Sequence, residues 1–256
     1  MEKSELGHHI VSRYNEELEK LRGEVLNMGG LIESQLRSAL VAFEEGNTRL
    51  SHEVVGSEYR VNLMEMEIDS ECNRILATRA PAASDLRLVV AIIKTITDME
   101  RIGDEAHKIG QIGLRHSDLV LGSDRRRMVR HLGRAALELL RQSLDCFARR
   151  DAQAALAAVK RDRILDEEFD AIQRQCITFM IEDPRTIRVA IDLMWIARSL
   201  ERVGDHAKNI CEYVVYMVYG RDVRHTSIED VEKELGAQAS RQDPAPPLPA
   251  SAASSS

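Results

Sequence analysis

Residues 100 to 104 read Glu100-Arg101-Ile102-Gly103-Asp104, and 101 positions later the chain reads Glu201-Arg202-Val203-Gly204-Asp205. The likeness extends in both directions. At the same shift Leu86 falls on Ile187, Arg87 on Arg188, Ile92 on Leu193, Met99 on Leu200, Ala106 on Ala207 and Ile109 on Ile210. Upstream, a shift of 104 sets Val55 on Val159, Glu58 on Asp162, Asn62 on Asp166, Ile68 on Ile172 and Cys72 on Cys176. Self-similarity at a fixed period marks one structural unit used twice.

Each unit reads as three long helices. Leu18, Leu21, Val25, Met28, Ile32, Leu36, Ala39 and Phe43 alternate at spacings of three and four, which predicts a helix over 6–43 ended by Gly46 and Asn47. A second helix runs to Thr78 and stops at Ala80-Pro81, because proline lacks an N–H and disfavours helical geometry in the residue before it. The third spans 83–115. After Gly122-Ser123 the pattern restarts, with helices to Arg149, over 151–182 up to Asp183-Pro184, and onward to Tyr219. Helices of ~30 residues far exceed the globular mean of ~12 and imply bundle packing. The fold expected is all-α: two repeated antiparallel three-helix bundles, 1–118 and 119–225, followed by 226–256 with a short amphipathic helix at 227–235 and a Pro/Ala/Ser tail.

Composition narrows the function. Of 256 residues, 44% are apolar, 30% charged and 4% aromatic. The net charge of −7 argues against a nucleic-acid binder, which needs surplus Lys and Arg to neutralise phosphates. Cys72, Cys146, Cys176 and Cys211 form no CxxC and read as small apolar fillers in a reducing compartment. No signal-peptide core and no run near the ~20 apolar residues of a membrane span is present, so a cytoplasmic protein is expected. P-loop, dinucleotide-binding, G-x-S-x-G and HExxH patterns are missing, which fits a chain without turnover of its own.

The repeated motif carries the candidate chemistry. Glu100 with Asp104, and Glu201 with Asp205, lie four apart and so share a helix face. They extend the core-type stripes Val89, Ile93, Ile96 and Ala190, Met194, Ala197. Half-buried like charges need something positive nearby. Asp162 and Asp166 on the fifth helix can add two more carboxylates, and His206 a nitrogen. An oxygen-rich set suits iron, manganese, magnesium or calcium better than zinc. The plainer reading is that these acids pair with Arg101, Arg202 or other helix arginines. Recurrence of a mid-helix glycine, which costs ~1 kcal/mol against alanine, favours close approach of another helix at Gly103 and Gly204. Arg125, Arg126, Arg127, Arg130 and Arg134 make a basic face, solvated in the plainer reading and otherwise open to an acidic partner or lipid headgroups. Trp195 reads as core or interface. The sole Glu-x-x-His, Glu5 with His8, excludes the paired motif of ferritin-like di-iron bundles.

The two motifs, the segment Ala80-Pro81-Ala82-Ala83-Ser84-Asp85-Leu86-Arg87, the Val61-Asn62 pair and the close of the sixth helix at Gly220 to His225 together resemble the PhoU family over residues 5–235. The resemblance implies a negative regulator of the phosphate-starvation response. It would couple a PstB-type ATPase of a phosphate ABC transporter to a PhoR-type sensor kinase, reaching the membrane only through these partners, as a cytoplasmic homodimer. It also implies iron, or manganese, magnesium or zinc, on Glu58, Asn62, Glu100 and Asp104 in the first copy and Asp162, Asp166, Glu201 and Asp205 in the second. Asn62 departs from the acidic pattern. The alternative is a metal-dependent hydrolase, such as a phosphatase, built on the same carboxylates.

Overall fold

A computed structural model describes residues 2–115, 123–224, 226 and 231, with side chains from residue 13 in the first helix and from residue 127 in the fifth. The described chain is all helix: α1 (Glu2–Glu45), α2 (Thr48–Gly56), α3 (Glu58–Arg79), α4 (Ala83–Arg115), α5 (Ser123–Arg149), α6 (Ala152–Val159), α7 (Asp162–Glu182) and α8 (Ile187–Tyr219), with a 3-10 turn at Pro184–Thr186. All six expected helices are present. The second and fifth are each interrupted, giving α2/α3 and α6/α7.

The two copies repeat down to their turns. Gly46 takes a left-handed φ of 66° and its counterpart Arg150 one of 53°. The next residue caps the following helix in each case: Asn47 accepts from Leu50 N at 3.1 Å and Asp151 from Ala154 N at 2.9 Å. Such caps satisfy amides that the first helical turn leaves unpaired. In the first copy the interruption is held in place by Gln35, whose Nε2 donates to Ser57 O at 3.0 Å and to Ser57 Oγ at 2.9 Å. Each break places an acid, Glu58 or Asp162, in the first turn of the next helix, where the peptide dipoles favour negative charge.

The alternating stripe of α1 is buried throughout, from Leu18 to Phe43. Gly103 and Gly204 mark close helix crossings. An added Cβ would meet Val61 Cγ1 at 3.3 Å in one copy and Leu165 Cδ1 at 2.9 Å in the other, and these two partners occupy matching positions.

The copies pack against each other through α1 with α5 and α4 with α8, both pairs antiparallel. Their buried residues form one continuous core. The α4–α8 seam is threaded with polar contacts: His206 Nδ1 to Asp98 Oδ1 at 2.6 Å, Asn209 Nδ2 donating to the same oxygen at 3.1 Å, and Arg202 Nε to buried Glu105 at 3.3 Å. Lys94 lies over the rings of Tyr213 and Tyr216, 5.5 and 5.6 Å from their centroids. Among the described residues no helix is long and apolar enough to cross a membrane. The short helix and tail expected over 226–256 lie outside the described residues apart from Thr226 and the buried Val231.

Candidate metal centres

Each copy gathers its acids where the start of one helix meets the middle of the next. In the second copy α7 brings Asp162 and Asp166, and α8 brings Glu201 and Asp205. Asp162 is 4% exposed, and its Oδ1 has no hydrogen-bond partner. Its Oδ2 accepts from Lys208 Nζ at 2.8 Å. Glu201 is largely covered; Arg198 Nη1 donates to its Oε1 at 2.9 Å, while Oε2 is buried without a partner.

The electrostatics are those of an acid group short of positive charge. Lost hydration followed by the charge of Asp162 raises the carboxyls of Asp166 and Asp205 above their ordinary range. Lost hydration and then Asp205 do the same to Glu201. These carboxylates hold their protons more tightly than in water because burial strips their hydration first and a neighbouring acid repels their charge second.

In the first copy α3 contributes Glu58 and Asn62, and α4 contributes Glu100 and Asp104. Burial and then Asp104 raise the carboxyl of Glu100, with Glu65 and Glu58 adding to the effect. Glu65, one face-turn beyond Asn62, is itself raised by burial and by the charges of Asp69 and Asp104. It supplies an acid that the alignment with Phe169 had hidden. Arg101 lies 3.4 Å from Glu100 and 3.8 Å from Asp104. The plainer arginine reading therefore holds for Arg101 and, in the second copy, for Arg198 at Glu201, whereas Arg202 turns away to Glu105.

Two basic residues escaped the sequence reading. His107 Nδ1 sits 2.7 Å from Glu58 Oε2, off the hydrogen-bonding direction, and counts among the buried atoms without a partner. Its counterpart at the 101-residue shift is Lys208. Both lie three residues after the motif aspartate, on its face of the helix. The repeat thus pairs the first acid of each cluster with a base from the facing helix, an imidazole in one copy and an ammonium in the other. His206, expected to add a nitrogen beside Asp205, instead points across the seam to Asp98.

The donor chemistry, mostly carboxylate oxygen with two buried orphan oxygens in the second copy, fits a hard cation. As placed, the side chains do not close a coordination sphere. Among the described residues no group of three or more His, Cys, Asp or Glu is gathered tightly enough to hold a metal ion.

Of the basic face, Arg127 and Arg134 are exposed, and Arg130 Nε is held by Glu44 Oε2 at 2.8 Å. The side chains of Arg125 and Arg126 lie outside the described residues. A different surface stands out around the α7–α8 turn. Ile177 and Ile181 on one helix, and Ile187, Ile191 and Trp195 on the other, are exposed, Trp195 by 61% and Ile181 by 77%. Trp195 is therefore no part of the core.

Comparison with known proteins accounts for the doubled architecture. The family model described as the PhoU domain matches residues 25–113 and again 129–214. A phosphate-specific transport system accessory protein PhoU homolog from Pseudomonas putida is 43% identical over 91% of this chain and 91% of its own length. The Escherichia coli accessory protein PhoU is 40% identical over 93% and 98%. The crystal structure of PhoU from Pseudomonas aeruginosa is similar with a TM-score of 0.79 at 42% identity, covering 81% of this chain and 100% of that one. That of the phosphate transport system regulatory protein PhoU from Streptococcus pneumoniae gives 0.76 at 27% identity, covering 82% and 99%.

Proposed function

This chain belongs to the PhoU family of phosphate-transport accessory proteins, and from that premise we propose that it restrains the phosphate-starvation response by linking a PstB-type transporter ATPase to a PhoR-type sensor kinase. The observation that carries the reading is the match of both repeats, over nearly the whole length, to accessory proteins of the phosphate-specific transport system. The architecture suits an adaptor. Long helices locked on one core offer broad, stiff faces, and the exposed apolar residues around the α7–α8 turn and the exposed Arg127 and Arg134 give those faces distinct chemistry. Its place of work would be the cytoplasm, at the membrane only through these partners, as a homodimer.

The acid clusters would hold the family's metal: Glu58, Glu65, Glu100 and Asp104 with Asn62 in the first copy, and Asp162, Asp166, Glu201 and Asp205 in the second. A bound cation, iron or manganese before magnesium or zinc, would supply the positive charge these carboxylates lack. Around it the chain does the positioning. The helix starts at Glu58 and Asp162 aim one acid each at the crossing, the glycines at 103 and 204 let the crossing close, and Arg198 fixes one oxygen of Glu201. The two copies would differ in their fourth side. His107 can donate a nitrogen lone pair to a cation, whereas protonated Lys208 already neutralises part of the second cluster.

Deleting the gene tests the regulatory reading. The starvation response should then stay on in phosphate-rich medium, and the purified protein should retain the transporter ATPase or the kinase's cytoplasmic region on a column. A response that stays off in phosphate-rich cells lacking the gene would refute it.

A further inference from the structure

A groove of about 470 Å³ opens where α1 passes the junction of α2 and α3. Gln35 lines it and is only 6% exposed. The orientation of its amide is settled by its neighbour, because Nε2 donates to Ser57 O, which can only accept, and to Ser57 Oγ. Its Oε1 accepts no hydrogen bond among the described residues, and protein does not enclose it. A nearly buried acceptor is thus held open to the groove with its donor side already committed. At the rim Arg60 forms no ion pair among the described residues, and beside it the Tyr59 ring is 58% exposed.

The second copy keeps a groove at the matching place, about 250 Å³ in volume, with Gln142, Ala154 and Ala158 at the positions of Ser38, Leu50 and Val54. The chemistry does not recur with it. At the 104-residue shift Leu139 stands for Gln35, Arg163 for Tyr59 and Ile164 for Arg60. The helix junction forms in both copies, so the fold itself does not call for an amide, a phenol ring and a guanidinium there.

We propose that the groove of the first copy binds an adenine nucleotide with a single phosphate. The exocyclic amine donates to Gln35 Oε1, the base lies on the Tyr59 ring, and the phosphate pairs with Arg60. An acceptor whose amide nitrogen is already bonded selects a base edge that presents a donor. Adenine presents its amine beside ring nitrogens that carry lone pairs only, and Ser34 and Ser38 offer hydroxyl donors in the same lining. Leu31, Leu50 and Val54 supply apolar surface, more of which a purine covers than the smaller ring of cytosine. Glu53, 3.4 Å from Arg49, can accept from the ribose hydroxyls. One guanidinium and one carboxylate at the rim suit one phosphate and disfavour a chain of three.

Equilibrium dialysis of the full-length protein tests the assignment. Adenosine 5′-monophosphate should bind with a Kd below ~1 mM. Purine riboside 5′-monophosphate, which lacks only the amine, should bind about tenfold more weakly, because it leaves the buried acceptor without a donor. Adenosine, which lacks only the phosphate, should lose a similar factor, and inorganic phosphate alone should not compete. Gln35→Leu, which copies Leu139, should bind the two nucleotides alike. Arg60→Ile, which copies the exposed Ile164, should bind the adenine nucleotide no better than the wild type binds adenosine. Circular dichroism checks the fold of each variant, and the exposed Arg60 keeps the test open if Gln35→Leu does not fold. Three results would each overturn the proposal: no binding of the adenine nucleotide at ~1 mM, equal affinity of the wild type for the two nucleotides, or a folded Arg60→Ile variant that binds as the wild type does.

Discussion

Leu144 on α5 fills the space over Gly29 on α1: a Cβ added to that glycine would lie 2.7 Å from the leucine Cδ2. The contact has a twin, since Leu40 covers Gly133 at the same 2.7 Å. The neighbouring Gly30 has nothing within 4 Å. Adjacent glycines should therefore respond with opposite signs. Gly30→Ala should raise stability by up to ~1 kcal/mol, the difference in helix propensity. Gly29→Val should lower it by about 1–3 kcal/mol through overpacking against Leu144. Urea midpoints of the two variants decide the matter, and equal shifts would show that α1 and α5 are not in close contact there.

Lys208 is the only bonded cation found for Asp162 among the described residues. Removing its charge with Lys208→Met leaves a buried carboxylate without a donor, which costs about 1–3 kcal/mol. Manganese or ferrous iron should recover more of that loss in the variant than either adds to the wild-type protein, because the cation then stands alone against the acids. Thermal midpoints with and without metal measure this, and a variant indifferent to metal would place the binding elsewhere.

The double replacement Asp162→Ala with Asp205→Ala should strip metal from the second copy while helicity persists. Elemental analysis of protein purified without chelator, read beside circular dichroism, gives the result. Unchanged metal content would mean that other residues are the ligands.

Glu17 gives the protein an acid-sensitive clamp between α1 and α3. Arg79 grips its carboxylate at 2.7 and 3.0 Å, and Arg74 lies 3.3 Å away. These arginines hold the Glu17 carboxyl down at about 2, against 4.5 when free. A depressed acid contributes its stability fully above the free value and loses it as pH falls toward the folded one. The stability difference between wild type and Glu17→Gln should therefore be constant above pH 4.5 and shrink on acidification toward pH 2. Denaturation midpoints across that range would show a flat difference if the clamp does not form.

Charge reversal at the exposed Arg127 and Arg134 should slow capture of an acidic partner surface and make it less sensitive to salt, since such charges act chiefly on association rate and are screened over ~8 Å at physiological ionic strength. Surface plasmon resonance against the transporter ATPase at two salt concentrations reads both effects. Rates that match the wild type at low salt would move the docking face elsewhere, with Trp195 and Ile191 next in line.

Helix ends were legible wherever the covalent chain dictates them. Pro81 and Pro184 stop helices by removing an N–H, and the ends of α3 at Arg79 and of α7 at Glu182 follow directly. The breaks at Ser57 and at Lys160–Arg161 carry no proline; the first depends on Gln35 reaching across from α1, a tertiary bond that no local pattern encodes. The acids of both motifs could be assigned to one helix face from their spacing alone. His206 could not be placed that way. Consecutive helical residues point roughly 100° apart, so the neighbour of Asp205 faces a different helix, and Asp98 lies there. His107 and Lys208 share a role without sharing a side chain, so identity between the two copies does not mark them.

The core shared by the two copies makes the repeat a unit of ancestry rather than of folding. Neither half can leave the other without baring the apolar flanks of α4 and α8, where Ile102, Ile109, Val203 and Ile210 are wholly enclosed. A single proteolytic cut between Arg115 and Ser123 should therefore yield two fragments that still migrate as one particle and melt in one transition, and the same halves made from separate genes should find each other in the cell and complement.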